Sequence, residues 1–321
     1  MQNQKRLLLD VDTGVDDALA ILYALKSPAA VIEGITTVCG NVAVEQATVN
    51  TLKVVELSGA GDIPVAQGAA KPLMREWGGT VTAYHGENGL GNYDRLPEPK
   101  LQPLEEHAAD FIVRKVNERP HELTLVFVGR LTNLALALAK DPAIATKVDR
   151  LVLMGGALRA PGNVTTVAEA NIHGDPEAAH RVFQSGMPIT MVGLDVTMKA
   201  IFKEKHLEEL KRRMPSQLAD LEAFAEHVLK FRFNAYDSSD GLYGTALHDP
   251  LAVAVALDPN LVETEDHYIT VETKGKVSEG ATLADLRRPT DRSNASVCVQ
   301  VDEERFIEQF IEVLCSGKGG A

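Results

Sequence analysis

RLLLDVDTGVDDALAILYALK, residues 6–26, puts four carboxylates, Asp10, Asp12, Asp16 and Asp17, into eight positions. Leu7, Leu8 and Leu9 make a short apolar run suited to a buried strand. From Asp17 onward Ala18, Leu19, Leu22 and Leu25 recur at helical spacing. Gly14 lets the chain leave the strand sharply, so the acids sit on a strand-to-helix turn.

Helix-start chemistry accounts for two of these acids. The free N–H groups and positive dipole end of a first helical turn favour negative charge at Asp16 and Asp17. Asp10 and Asp12 then add like-charge repulsion, which a cation, a proton or a hydroxyl-rich ligand would offset. The donors are all oxygens, which suits a hard cation such as Ca²⁺ or Mg²⁺ rather than zinc or copper.

Outward from this turn the pattern repeats. VIEGITTV (31–38) reads as a strand ending in Cys39-Gly40-Asn41, and a helix follows over 44–57. A short strand over 63–66 leads to a glycine- and proline-rich stretch, 68–106, containing YHGENGLGNY (84–93); a loop this long inside a domain is usually functional. Alternation resumes with helix 107–117, strand 123–128, helix 132–139, strand 151–154, helix 176–185 and strand 189–192. Repeated βα units predict an α/β fold with a mainly parallel central sheet flanked by helices. Ligands in such sheets bind at the strand C-terminal ends. That rule selects Asp10 and Asp12, Asn41, Gly129 to Asn133, and Gly155-Gly156. Residues 203–236 read as amphipathic helices outside the alternating core, ending in FRFNAYDSSDGLYG (231–244), a helical lid over about 203–244. The chain closes with strand-like HYITVE (267–272), strand 295–301 and a helix over 303–314.

Composition excludes several classes. The 321 residues carry 45% hydrophobic and 24% charged side chains, as ordinary globular proteins do. No apolar run approaches the roughly eighteen residues of a membrane span. The N-terminus passes straight into the first strand without a signal-peptide pattern, so the expected address is cytoplasmic. Cys39, Cys298 and Cys315 have neither disulfide nor metal spacing. A net charge of −13 without a basic block argues against nucleic acid as a partner.

Among single residues, Asp-Pro occurs at 141–142, 175–176, 249–250 and 258–259, and an Asp cap followed by Pro at the first helical position explains all four without function. Asp249 is set apart by His248 before it, a pairing of proton donor and metal ligand. His85 lies in the 84–93 loop, where contact with a ligand competes with simple solvent exposure. There is no G-x-S-x-G elbow, P-loop or G-x-G-x-x-G fingerprint.

LLLDVDTGVDDALAI (7–21) closely resembles the N-terminal signature of the nucleoside hydrolases, the inosine/uridine-preferring family that cleaves ribonucleosides to ribose and base. The likeness continues in order through ITTVCGN (35–41), HGENGLG (85–91), GRLTNLALAL (129–138), LVLMGGA (151–157), GNVTTVAEANI (162–172), DPEAAHRVF (175–183), HDP (248–250) and TKGKVSEGATLAD (273–285). It implies a single Rossmann-like domain over 1–321 with its active site at the strand C-terminal ends.

Carried over by position, the resemblance implies a Ca²⁺ held by Asp12, Asp17, Asp249 and the carbonyl of Val128, gripping the ribose 2′- and 3′-hydroxyls. Asp12 would activate the calcium-bound water, Asp16 and Asn171 would bind the diol, and Asn163 with Glu169 would hold the 5′-hydroxyl. Asn41 and Met154 would line the sugar pocket, His248 would protonate the departing base, and His85 would belong to a loop closing over substrate. The family also implies a homodimer or homotetramer. Thr13 stands where proline is usual in the family, Phe127-Val128 replaces Pro-Thr or Ser-Thr, and Ala170 replaces a common phenylalanine, removing an aromatic ring from the ribose side. Two rivals remain at this level. A haloacid-dehalogenase-type phosphatase shares the strand-Asp-x-Asp-x-Thr pattern, although Thr13 falls one place early. A calcium-dependent nucleoside-binding protein would use the same scaffold for capture alone.

Overall fold

In the computed structural model, which describes residues 4–61, 63–240, 243–287 and 292–316, Leu7 and Leu9 are buried in one apolar cluster and Leu8 in another. Side chains alternate across a strand, so this first strand lies between two cores. The sheet is therefore the middle layer of three.

The elements run β1 (Lys5–Val11), α1 (Val15–Lys26), β2 (Ala30–Thr37), α2 (Val44–Ser58), β3 (Val65–Gln67), α3 (Thr82–His85), α4 (Ala108–Glu118), β4 (Leu123–Phe127), α5 (Thr132–Lys140) and β5 (Arg150–Met154). They continue with α6 (Ala170–Gly174), α7 (Pro176–Phe183), β6 (Ile189–Val192), α8 (Leu194–Thr197), β7 (Ile201–Phe202), α9 (Glu204–Arg213), α10 (Ala219–Asp240) and β8 (Thr245–Ala246). The last are α11 (His248–Leu257), β9 (Val262–His267), β10 (Thr270–Val271), β11 (Thr282–Leu283), β12 (Ala295–Val301) and α12 (Glu303–Cys315).

Eight strands form one sheet in the order β3-β2-β1-β4-β5-β6-β12-β9. Every neighbouring pair is parallel except β12 with β9. The chain moves outward from β1 to β3, then returns to place β4 on the other side of β1. That reversal opens a crevice past the ends of β1 and β4, where ligands bind in open α/β sheets. The expected mainly parallel α/β sheet is the one observed.

α1 explains how the acids come to be buried. Of its residues only Leu25 escapes burial, because α1 sits inside one apolar layer with α11 and α12 around it. The strand-to-helix turn that opens α1 is thereby enclosed.

Two sequence expectations need correction. HYITVE does not form one strand: β9 begins earlier and ends at His267, while Thr270–Val271 pairs with β11 in a separate two-stranded sheet. Asp141, Asp175 and Asp258 each cap a following turn with the side chain, accepting from Ala143, Ala178 and Asn260 N–H. Asp249 does not, because α11 already starts at His248. The 203–236 segment is helical as expected, as α9 and α10, and positions 241 and 242 of the 231–244 stretch lie outside the described residues. No helix among the described residues is long and apolar enough to cross a membrane.

Candidate active site

Asp12, Asp16, Asp17 and Asp249 meet where β1 ends and α1 and α11 begin, and all four are buried. The turn is wired through its own backbone. Asp17 accepts from the N–H of Asp12 and of Gly14, both at 3.0 Å, so its carboxylate closes the loop it begins. Asp16 Oδ2 accepts from the N–H of His248 at 3.0 Å and of Asp249 at 3.2 Å. These bonds join the N-terminal motif to residues more than two hundred positions later.

Burial drives the electrostatics. It pushes Asp16 up to about 6, against the opposing pull of Arg232. It holds Asp12 well above the carboxylate range, with Asp17 adding to the shift. Asp249 is raised likewise by burial and then by Asp16, Asp17 and Asp12. Such a cluster is relieved by a cation.

The donor chemistry fits calcium: three carboxylates and the Val128 carbonyl are hard oxygens of the kind Ca²⁺ takes. Among the described residues no three His, Cys, Asp or Glu side chains stand in ready coordinating geometry. The Asn41 amide donates to Asp12 Oδ1 at 2.9 Å and to Asp17 Oδ2 at 3.0 Å, and the Asn171 amide donates to Val128 O at 2.6 Å. The amides of Asn41 and Asn171 thus sit directly beside the oxygens a cation would use.

The remaining predicted residues gather at neighbouring strand ends. Asn171 also reaches Met154 O at 3.2 Å, bridging the ends of β4 and β5. Glu169 is buried and caps α6, accepting from Asn171 and Ile172 N–H and from Gly156 N–H. Asn163 is exposed and accepts from Ala170 N–H at 3.0 Å. Glu169 and Asn163 therefore shape the 162–172 loop through its backbone.

His85 is not solvent-exposed. Its Nδ1 accepts from Val15 N–H at 3.0 Å, capping α1 from the C-terminal end of α3 rather than from a loop, and burial holds it well below its usual pKa. A Cβ on Gly14 would lie 2.1 Å from that Nδ1, so glycine is required by close approach. His248 is buried between Tyr236 OH and Thr197 Oγ1, each 2.7 Å away, and burial lowers it to about 3.

Sequence reading missed Arg232, Tyr236, Thr197 and the support beneath the acids. Asp10 accepts from Thr36 Oγ1 at 2.6 Å and Asn133 Nδ2 at 2.8 Å, and burial pushes it up to about 7. Asn133 also donates to Thr37 O and accepts from Ala69 N–H. Asp10 thus ties strand ends together. Arg232 and Tyr236 stand four apart on one face of α10, but that spacing alone does not say which face turns to the acids.

Residues 7–308 match the family model described as inosine-uridine preferring nucleoside hydrolase. The chain is 41% identical over 284 residues to uridine nucleosidase 1 of Arabidopsis thaliana, covering 88% of this chain and 82% of that protein. It is 40% identical over 312 residues to the pyrimidine-specific ribonucleoside hydrolase RihA of Salmonella enteritidis, covering 96% and 97%. A purine-preferring ribonucleoside hydrolase structure from Gardnerella vaginalis superposes with a TM-score of 0.91 at 38% identity, over 97% of this chain and 98% of that one.

Proposed function

The chain belongs to the inosine-uridine preferring nucleoside hydrolase family and is a ribonucleoside N-ribohydrolase, and on that premise we propose that it cleaves inosine, uridine and cytidine by calcium-assisted hydrolysis at the Asp12 cluster. The observation that carries this reading is the joining of Asp16 to the backbone of His248 and Asp249, which assembles four carboxylates from the two ends of the sequence. Family membership also removes the phosphatase reading of the Asp-x-Asp-x-Thr pattern; Thr13 is buried with its hydroxyl 2.6 Å from Thr51 Oγ1.

Asp12, Asp17, Asp249 and the Val128 carbonyl would hold the Ca²⁺. When bound, it supplies a fixed positive charge that grips the ribose diol and acidifies water. Asp12 takes the proton of the attacking water as general base. Asp16 and Asn171 bind the 2′- and 3′-hydroxyls, and Asn163 with Glu169 faces the 5′-hydroxyl. Asn41 and Met154 line the sugar. Positive charge grows on the ribose ring as the C1′–N bond lengthens, and the surrounding carboxylates stabilise it. His248, hydrogen-bonded to Tyr236, delivers the proton to the departing base, with His85, at the end of α3, closing over substrate. Nucleoside catabolism and salvage, a homodimer or homotetramer and a cytoplasmic address belong to the same proposal, on the strength of the family resemblance.

Ribose release from inosine, uridine, cytidine and adenosine, with a phosphate ester alongside, tests it. Ribose from the nucleosides is the expected product. Nucleoside binding without ribose would leave a capture protein instead.

A further inference from the structure

One peptide unit joins the 68–106 stretch to the carboxylate of Asp12. Residues 68–81 form no helix or strand, yet they are tied down at several points. Leu73 N–H donates to Asp175 Oδ2 at 2.9 Å, and Arg75 pairs with Glu177 at 2.7 Å and with Glu279 at 3.0 Å. Val81 N–H donates to Asn41 O at 2.9 Å. Between these ties stands Trp77, the only tryptophan of the chain. It is half-buried, and its indole N–H donates to Gly40 O at 3.0 Å.

That hydrogen bond lands on the peptide that holds Asp12. Gly40 C=O and Asn41 N–H belong to one planar unit and point in opposite directions. The N–H side donates to Asp12 Oδ2 at 2.9 Å, while the Asn41 side-chain amide donates to Oδ1, also at 2.9 Å. A carbonyl that accepts a hydrogen bond polarises the N–H of its own peptide and strengthens the bond made on the far side. It also fixes the plane, because rotating the peptide would break both bonds together. Gly40 leaves no slack: a Cβ there would fall 1.7 Å from Asp12 Oδ2. A half-buried indole finds some partner for its N–H in any case; the partner here is the carbonyl whose peptide reaches Asp12.

We propose that Trp77 is a positioning residue for the hydrolysis: through its hydrogen bond to Gly40 O it locks the 40–41 peptide, and so sets the Asp12 carboxylate where it takes the proton of the attacking water. The inference rests on the nucleosidase reading above and adds a residue that acts through Asp12. Arg75, two residues earlier, holds the strap that carries the indole. Small displacements of a catalytic group are costly in rate, so the lock matters to turnover even though Trp77 touches no reacting atom. Because it acts through the water and not through the base, its effect is the same whichever base leaves.

The test is a double-mutant cycle on the full chain: wild type, Trp77→Phe, Asp12→Asn and the two combined, assayed for ribose release from uridine and inosine. Phenylalanine keeps a ring and removes the N–H. Trp77→Phe should lower kcat by about 3–10-fold, the worth of one hydrogen bond, and by the same factor on both nucleosides. In the Asp12→Asn background the same substitution should cost less than about twofold, because the group it positions is gone. A second readout needs no turnover. The single indole N–H gives one resonance in a ¹H–¹⁵N spectrum, and Asp12→Asn should move it, since the two hydrogen bonds share a peptide. Equal losses in both backgrounds, or an unchanged kcat in Trp77→Phe, would overturn the proposal. Losses that differ between uridine and inosine would make Trp77 a base contact and overturn it too. A wild type that releases ribose from neither nucleoside would overturn the nucleosidase reading, and the indole resonance would then decide the coupling by itself: a shift supports it and an unmoved resonance overturns it.

Discussion

Tyr236 and His248 share a hydrogen bond of 2.7 Å between the phenol oxygen and Nε2, joining α10 to the first turn of α11. Burial keeps the imidazole neutral, so in the proposed mechanism the proton of its one N–H passes to the base and is replaced through the hydrogen bonds to Tyr236 and Thr197. His248→Ala should therefore slow inosine cleavage more than that of p-nitrophenyl riboside, whose leaving group needs no proton. A ratio of the two rates unchanged from wild type would remove His248 from proton delivery.

Asp12 carries both roles that the mechanism demands of one carboxylate. Asp12→Asn should lower kcat by about 10²–10⁴-fold, the ordinary contribution of a general base, and further where calcium binding suffers. Near-normal turnover in steady-state assays would exclude Asp12 as the base.

Gly40 is the floor under Asp12. A Cβ there would fall 1.7 Å from Asp12 Oδ2, so Gly40→Ala must displace the carboxylate. Misplacing a catalytic group by about 1 Å costs up to about 10²-fold. Loss of kcat with a melting temperature close to wild type is the expected pair of results; full activity would mean that the carboxylate position is not critical.

These acids also mark what could be read from the sequence. The turn at Asp12 to Asp17, the parallel sheet and the strand ends were legible because they are local: leucine runs, helical spacing, a glycine between them. His85 and Arg232 were not. Whether a histidine in a glycine-rich stretch caps α1 through Val15 N–H depends on a segment returning from seventy residues away. Whether an arginine between two phenylalanines points inward depends on what α10 packs against. Asp10 was legible as an acid and misleading as a member of the site, since Thr36 and Asn133 meet it only after β1, β2 and α5 assemble.

Glu33 gives a stability test away from the chemistry. Its carboxylate pairs with Arg6, Lys115 and Arg119. Although burial opposes this, hydrogen bonds from Lys115 and Arg6 hold its pKa below the usual value. Because the folded pKa is depressed, the stabilisation is complete above the unfolded carboxylate value of about 4.3 and is lost as pH falls through the folded value. Glu33→Gln should cost about 1–2 kcal/mol at pH 7 in urea unfolding, a gap that closes below about pH 4. A gap independent of pH would show that the ion pairs are not its source.

The central claim, nucleoside hydrolysis at a calcium-dependent carboxylate cluster, is tested most directly by following ribose release from uridine and inosine before chelation, after it, and on titrating Ca²⁺ back. Release that stops on chelation and returns with Ca²⁺ is the predicted result. Release that is indifferent to chelation would contradict it.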